Sequence, residues 1–229
     1  MSDESGFTLV EMLVTMFAGV IVFMAILTTI DVATRSQQRV DQRVAADQRA
    51  RPVMTHIIDE LHSACVATGV APVLGGDDKT ITFLSKTGSD VSPIPDKHVI
   101  TLTGTTLSET TYQGTGGTAP DWTFSSSPTT NQLLDGVGAG SVDGSSVPLF
   151  RYYDYTGGQL SSSPIIPPLT PTTAAQTVQV SVAFAADPTE SGPSTVDANG
   201  SITVSDSAAL RLQSAIVPAD PTEANKPCE

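Results

Sequence analysis

The sequence predicts an α+β chain, in which a long N-terminal helix packs its second half on an antiparallel β-sheet body. Three observations predict this class. Residues 12–30 contain no charged side chain, a run far too long for one strand. Apolar residues between positions 40 and 65 then recur three, four or seven apart, the spacing of one helix face. From residue 73 onward the period drops to two, and Gly, Pro, Ser and Thr become abundant, as strands and turns require. With charged residues at only 15% and aromatics at 5%, the body is not read as a helical bundle.

The first element is a short polar stretch, MSDESG (1–6), followed by the apolar run Phe7–Ile30. Residues 1–6 lack the basic start of a secretory signal, and no small-residue cleavage site follows the apolar core. Nineteen helical residues rise about 28 Å, close to the hydrocarbon thickness of a bilayer, about 30 Å. Glu11 stands near one end of this run. A charge at the centre of a membrane helix costs roughly 2.5–3.5 kcal/mol, so an acid there calls for a partner or for access to the headgroups.

The helix is predicted to continue to about residue 65. Val40, Val44, Arg51, Met54, Ile58, Leu61 and Cys65 form the expected stripe, with Arg39, Asp41, Gln42, Arg43, Asp47 and Arg49 largely off it. Pro52 removes one backbone hydrogen bond and is expected to kink or restart the helix. Gly69 and Pro72 mark its end. The division expected is therefore residues 1–6 as leader, 7–30 as membrane helix, 31–65 as its amphipathic extension and 66–229 as a β-rich body.

Within the body, TITFLS (80–85), HVITLTG (98–104), TLSETTY (106–112), VPLFRYYDY (147–155), TVQVSVAF (177–184), SITVSD (201–206) and ALRLQSAI (209–216) read as strands. In TVQVSVAF the residues Val178, Val180, Val182 and Phe184 share one side, the pattern of a half-buried antiparallel strand. DANG (197–200) and YTGGQL (155–160) read as turns. The stretches 113–146 and 161–176 read as long surface loops. The apolar face of such a sheet needs a cover, and the helical stripe ending at Leu61 is the available one.

Charge excludes one class of partner. The chain carries a net −13; residues 31–60 balance five Arg against five acids, and residues 61–229 carry −10. Phosphate binding depends on Lys and Arg neutralising the backbone, so direct nucleic-acid binding is not expected. The two cysteines, Cys65 and Cys228, permit one disulfide in an exported protein. It would close a loop of about 160 residues, worth roughly 4–5 kcal/mol in the chain-entropy model. The alternative is a buried thiol at the helix end and a free one on the tail.

GFTLVEMLVTM resembles the type III signal of type IV pilins and of the pseudopilins of type II secretion. The resemblance rests on a short polar leader ending in Gly6, then Phe7, Glu11 four residues later, and a helix of membrane length. The long helix and β-rich body extend it to the layout of the whole chain. DELHSACV, PLFRYYDY and ALRLQSAI are similar to segments of the larger minor subunits: J-type pseudopilins, W-type minor pilins and the F-type competence pseudopilin. Two features depart from the family pattern. Asp3 and Glu4 make the leader acidic, and no Pro closes the membrane helix at residues 26–32.

The resemblance implies a non-enzymatic structural subunit. A prepilin peptidase would cut between Gly6 and Phe7, and the new Phe7 amine would be N-methylated. The mature chain would leave the cytoplasmic membrane for a filament at the cell surface or in the periplasm, its body exported. Its partners would be the peptidase, other pilins or pseudopilins, the inner-membrane assembly platform and the lipid bilayer. The physics of Glu11 fits that scheme: cutting exposes a cationic chain start, and a neighbouring subunit in register brings it to the acid. Out of register, both charges stay unpaired in a low dielectric, which is penalised. Gly6 lets the peptidase approach the backbone closely. The alternative is an uncleaved, single-pass anchored binding domain.

No catalytic set is visible: there is no G-x-S-x-G elbow and no nucleophile–base pair. His62 and Cys65 make at most half a metal site, so no metal centre and no cofactor are expected. GGDDKT (75–80) and DANGS (197–201) offer carboxylates and carbonyls to Ca²⁺ without filling an EF-hand, and are read first as turns. DGVGAG (135–140) reads as a flexible loop, since no helix follows to complete a phosphate site. Phe150, Tyr152, Tyr153 and Tyr155 alternate along a strand and read as packing residues.

Overall fold

The computed structural model describes residues 8–65, 70–85, 94–188 and 201–210. It has the expected layout of a long N-terminal helix followed by an antiparallel β body. The chain divides into two units, residues 1–42 and 43–229.

Helix α1 (Leu9–His62) runs without a break through Pro52. Pro52 cannot bond the carbonyl of Gln48, but both residues are exposed, so water can take that bond. In the second half of α1 the buried residues are Ala46, Ala50, Met54, Ile57, Ile58, Glu60 and Leu61. The stripe expected through Val40, Val44 and Arg51 is corrected here, because Val40 and Val44 are 57% and 49% exposed and Arg51 also faces solvent. Small residues at 46 and 50 bring the helix backbone close to its neighbours; the larger valines stay outside.

The first sheet is antiparallel, in the order β1 (Val73–Gly76), β2 (Thr80–Ser85), β3 (Asp96–Thr103), β4 (Thr106–Tyr112) and β7 (Thr129–Leu134). Between its last two members a small hairpin is inserted, β5 (Gly114–Thr118) with β6 (Asp121–Phe124). The second sheet is built around β13 (Gln179–Ala186). One edge of β13 pairs with β10 (Phe150–Tyr153) and with β8 (Val137–Val142), and β8 pairs with β9 (Ser145–Val147). Its other edge pairs along its whole length with β14 (Ile202–Ala209). β11 (Tyr155–Thr156) and β12 (Gln159–Leu160) form the expected YTGGQL hairpin. Gly157 and Gly158 supply its two positive φ angles, 64° and 82°.

Both sheets and the helix close one core. Leu61, Ile57, Phe83, Ile100 and Leu107 meet Phe150, Tyr152, Val180 and Phe184 in it. Each fully buried side chain of this size contributes about 1.5–3 kcal/mol. Strand β13 is more than half-buried: from Val180 to Ala186 both faces are covered, Ser181 and Ala183 included.

Other expectations are corrected. Residues 113–146 are largely ordered into β5–β8 and the start of β9, and are not a long loop. DGVGAG is a corner and a strand. Gly136 has φ 72° at the corner between the sheets. A Cβ on Gly140 would lie 2.9 Å from the Ala183 backbone carbon, so Gly140 permits the close approach of β8 to β13. VPLFRYYDY is divided among β9, β10 and β11. The stretch 161–176 is irregular apart from α2 (Pro171–Gln176), which Thr170 starts with a reciprocal capping box through Thr173. DANG and most of ALRLQSAI lie outside the described residues.

Candidate functional site

The N-terminal segment is built by a local signal. Thr8 precedes the helix, and its Oγ1 accepts from the Glu11 amide at 3.3 Å and lies 3.4 Å from Glu11 Oε2. The Thr-x-x-Glu spacing is that of a capping box, a signal in TLVE that periodicity does not register. Glu11 thus stands in the first turn of α1, where the macrodipole favours a carboxylate. Gly6 and Phe7, the two residues of the expected cleavage site, lie outside the described residues.

From Leu9 the helix is apolar on all sides and long enough to cross a membrane. Leu13, Phe17 and Phe23 are each at least 60% exposed. The hydroxyls in this stretch turn inward on their own helix: Thr15, Thr28, Thr29 and Thr34 donate to carbonyls three or four residues back, at 2.8–3.0 Å. Between residues 9 and 34 these threonine side chains are thus bonded within the helix, as an apolar surrounding would require. Charge returns with Asp31, which pairs with Arg35 at 2.8 Å.

A second group of functional character lies in the body, and no motif announced it. Helix α1 presents His56 and Glu60 one turn apart. Strand β2 contributes Ser85, β3 contributes His98 and β4 contributes Glu109, each at a core-facing position. His98 Nδ1 lies 2.6 Å from Glu109 Oε1, and His56 Nε2 lies 2.8 Å from Glu109 Oε2. Glu60 Oε2 accepts from Ser85 Oγ at 2.7 Å and stands 4.0 Å from His98 Nδ1. The Phe83 ring stacks on the His98 ring at 5.5 Å. Glu60, His98 and Glu109 are all buried; the His56 side chain is 42% exposed. Burial pushes the Glu109 carboxyl up, but hydrogen bonds and charge from His98 and His56 outweigh it and hold Glu109 below the ordinary carboxylate range.

The signal for this cluster lay in the period-two pattern. His98 alternates with Ile100 and Leu102, and Glu109 with Leu107, so both fall on the core faces of their strands. The histidine chosen from sequence as half of a metal pair, His62, is exposed at the end of α1.

The remaining candidates are placed as follows. Cys65 is fully buried and is not a free thiol; Cys228 lies outside the described residues. In GGDDKT, Asp77 Oδ1 accepts from the amides of Lys79 and Thr80, which makes the turn between β1 and β2. Phe150 and Tyr152 are core residues, whereas Tyr155 is exposed. The Tyr152 hydroxyl donates to the carbonyls of Asp77 and Thr80 at 3.0 Å. Its burial, with the nearby charges of Asp77 and Asp78, keeps it protonated well above the usual range for tyrosine.

Residues 1–27 match the family model described as the prokaryotic N-terminal methylation motif. The match covers the leader, Gly6, Phe7, Glu11 and most of the apolar run. A search of curated proteins returned no match.

Proposed function

We propose that the chain is a minor pilin or pseudopilin: a structural subunit that enters or primes a type IV pilus-like filament after a prepilin peptidase cuts between Gly6 and Phe7. The observation that carries this reading is the match of residues 1–27 to the N-terminal methylation motif, continuous with a helix apolar enough to span a membrane. The helix and antiparallel body support it as the layout such a subunit needs.

In this reading the α-amine of Phe7, freed and methylated, keeps its positive charge and meets Glu11 of a neighbouring subunit. The Thr8 hydroxyl lies 3.4 Å from Glu11 Oε2, so the acid has a local neighbour in the first helical turn before assembly. The β body is exported, faces out of the filament and makes lateral or tip contacts; the chain performs no chemistry itself. A Cys65–Cys228 bridge would tie the C-terminal tail to the end of α1 and suits an exported body.

N-terminal sequencing of protein extracted from membranes tests the reading. A mature chain beginning at Phe7 is expected, and Gly6→Val should accumulate full-length precursor. An intact Met1–Gly6 in the wild type would replace the proposal with an uncleaved, single-pass anchored binding domain.

A further inference from the structure

We propose that Glu60, His98 and Glu109, with His56 holding Glu109 from outside, form a binding site for a divalent first-row metal ion, zinc by preference. Glu60, His98 and Glu109 each direct one ligand atom into a common space, and those atoms lie within 4.8 Å of one another. His56 Nε2 sits 2.8 Å from the second oxygen of Glu109. Around a tetrahedral zinc with bonds of about 2.0–2.2 Å, neighbouring ligand atoms stand roughly 3.3–3.6 Å apart. Of the separations here, His98–Glu109 is 2.6 Å and His98–Glu60 is 4.0 Å, one shorter and one longer than that spacing, so side-chain rotation brings them to it.

Charge points the same way. Glu60 and Glu109 are 8% and 4% exposed; Glu109 faces both His98 and His56, while Glu60 accepts from Ser85 and stands 4.0 Å from His98. His98 Nδ1 has one bonding position, and Glu109 takes it at 2.6 Å. Glu60, at 4.0 Å, shares the same ring nitrogen only at a distance and accepts from Ser85. A divalent cation neutralises both acids at once, and the set of one imidazole and two carboxylates, without sulfur, suits zinc among the metals that take mixed N/O donors.

The surroundings are those of a held site. Ser85 orients Glu60, and the stacked Phe83 fixes the plane of His98. The partly exposed His56 side chain gives the ion a route from solvent. Three protein ligands leave the fourth position to water, and the ion joins α1 to β3 and β4 at the end of the core.

The test uses the full chain in detergent, without an affinity tag of histidines, stripped with chelator and dialysed. Added Zn²⁺ should bind one ion per chain by elemental analysis. It should raise Tm by about 5–10 °C at a hundredfold excess over Kd. Co²⁺ in its place should give the strong visible bands of a four-coordinate ion without thiolate charge-transfer absorption. His56→Asn, at a partly exposed position that tolerates the change, should weaken binding by on the order of tenfold or more; His98→Gln should abolish it; His62→Asn should leave it unchanged. If His98→Gln does not fold, His56→Asn decides. Stripped protein that takes up no ion overturns the proposal. So does a six-coordinate cobalt spectrum, a Tm that ignores zinc, or an affinity that survives His56→Asn.

Discussion

The stretch of α1 before residue 43 and the body after it use apolar residues in opposite ways. In the first, Leu13, Phe17, Phe23 and Ile26 are at least half exposed, and the threonine hydroxyls bond only to their own helix. In the second, Leu61, Phe83, Phe150 and Phe184 are almost wholly covered, and polar side chains reach across elements: Arg49 to the carbonyls of Asp187 and Asp135, His56 to Glu109, Ser85 to Glu60. The body completes its own burial. The helix start is built so that burial must come from outside the chain, from lipid or from other helices. The same residue types are therefore buried within the chain in one region and left exposed by it in the other.

Glu11→Ala would break the comparison most sharply. It should leave membrane insertion, processing and the stability of the body unchanged, and should abolish entry into filaments, read by shear fractionation and microscopy of cells carrying only the variant. Normal assembly by the variant would remove the role given to the acid.

Paired leucine truncations measure the difference directly. Leu61→Ala should cost the body about 2–5 kcal/mol in denaturant unfolding, the range for a fully buried leucine. Leu13→Ala should leave the same transition within about 0.5 kcal/mol. Equal effects at the two positions would mean that the N-terminal stretch shares the body's cooperative unit.

Arg49→Ala should cost about 1–3 kcal/mol, since it strips charged donors from two carbonyls that lie 86 and 138 residues away in sequence. Arg51, only two residues on, is exposed and pairs with Asp47 within its own helix. Arg51→Ala should shift the midpoint very little, as exposed helical ion pairs do. Thr170→Ala should cost about 0.5–2 kcal/mol by removing the cap of α2. Loss of helicity confined to residues 171–176, followed by amide exchange, would locate that change.

Sequence made some features legible because their causes are local. The length of the apolar run, the Gly157–Gly158 turn and the alternation of β2, β3, β4 and β13 each follow from neighbours a few residues apart. The stripe on α1 was harder. Periodicity alone gives several candidate faces, and the larger valines at 40 and 44 drew the reading away from Ala46 and Ala50. Which face is inward depends on how closely the sheets approach, and that rewards small residues. In the same way β5 to β8 were hidden by glycine and threonine, whose strand character comes from their pairing partners.

The sequence by itself determined that this chain begins with a processing-type motif and a membrane-length helix, and that a β-rich acidic body follows, because composition and short-range spacing decide those things. Only the tertiary structure decided that His56, Glu60, Ser85, His98 and Glu109, drawn from a helix and three strands, meet in one place at the edge of the core. Each is an ordinary polar residue in its own segment. Their chemistry arises from strand register and helix docking, which are settled when all the apolar faces are covered together.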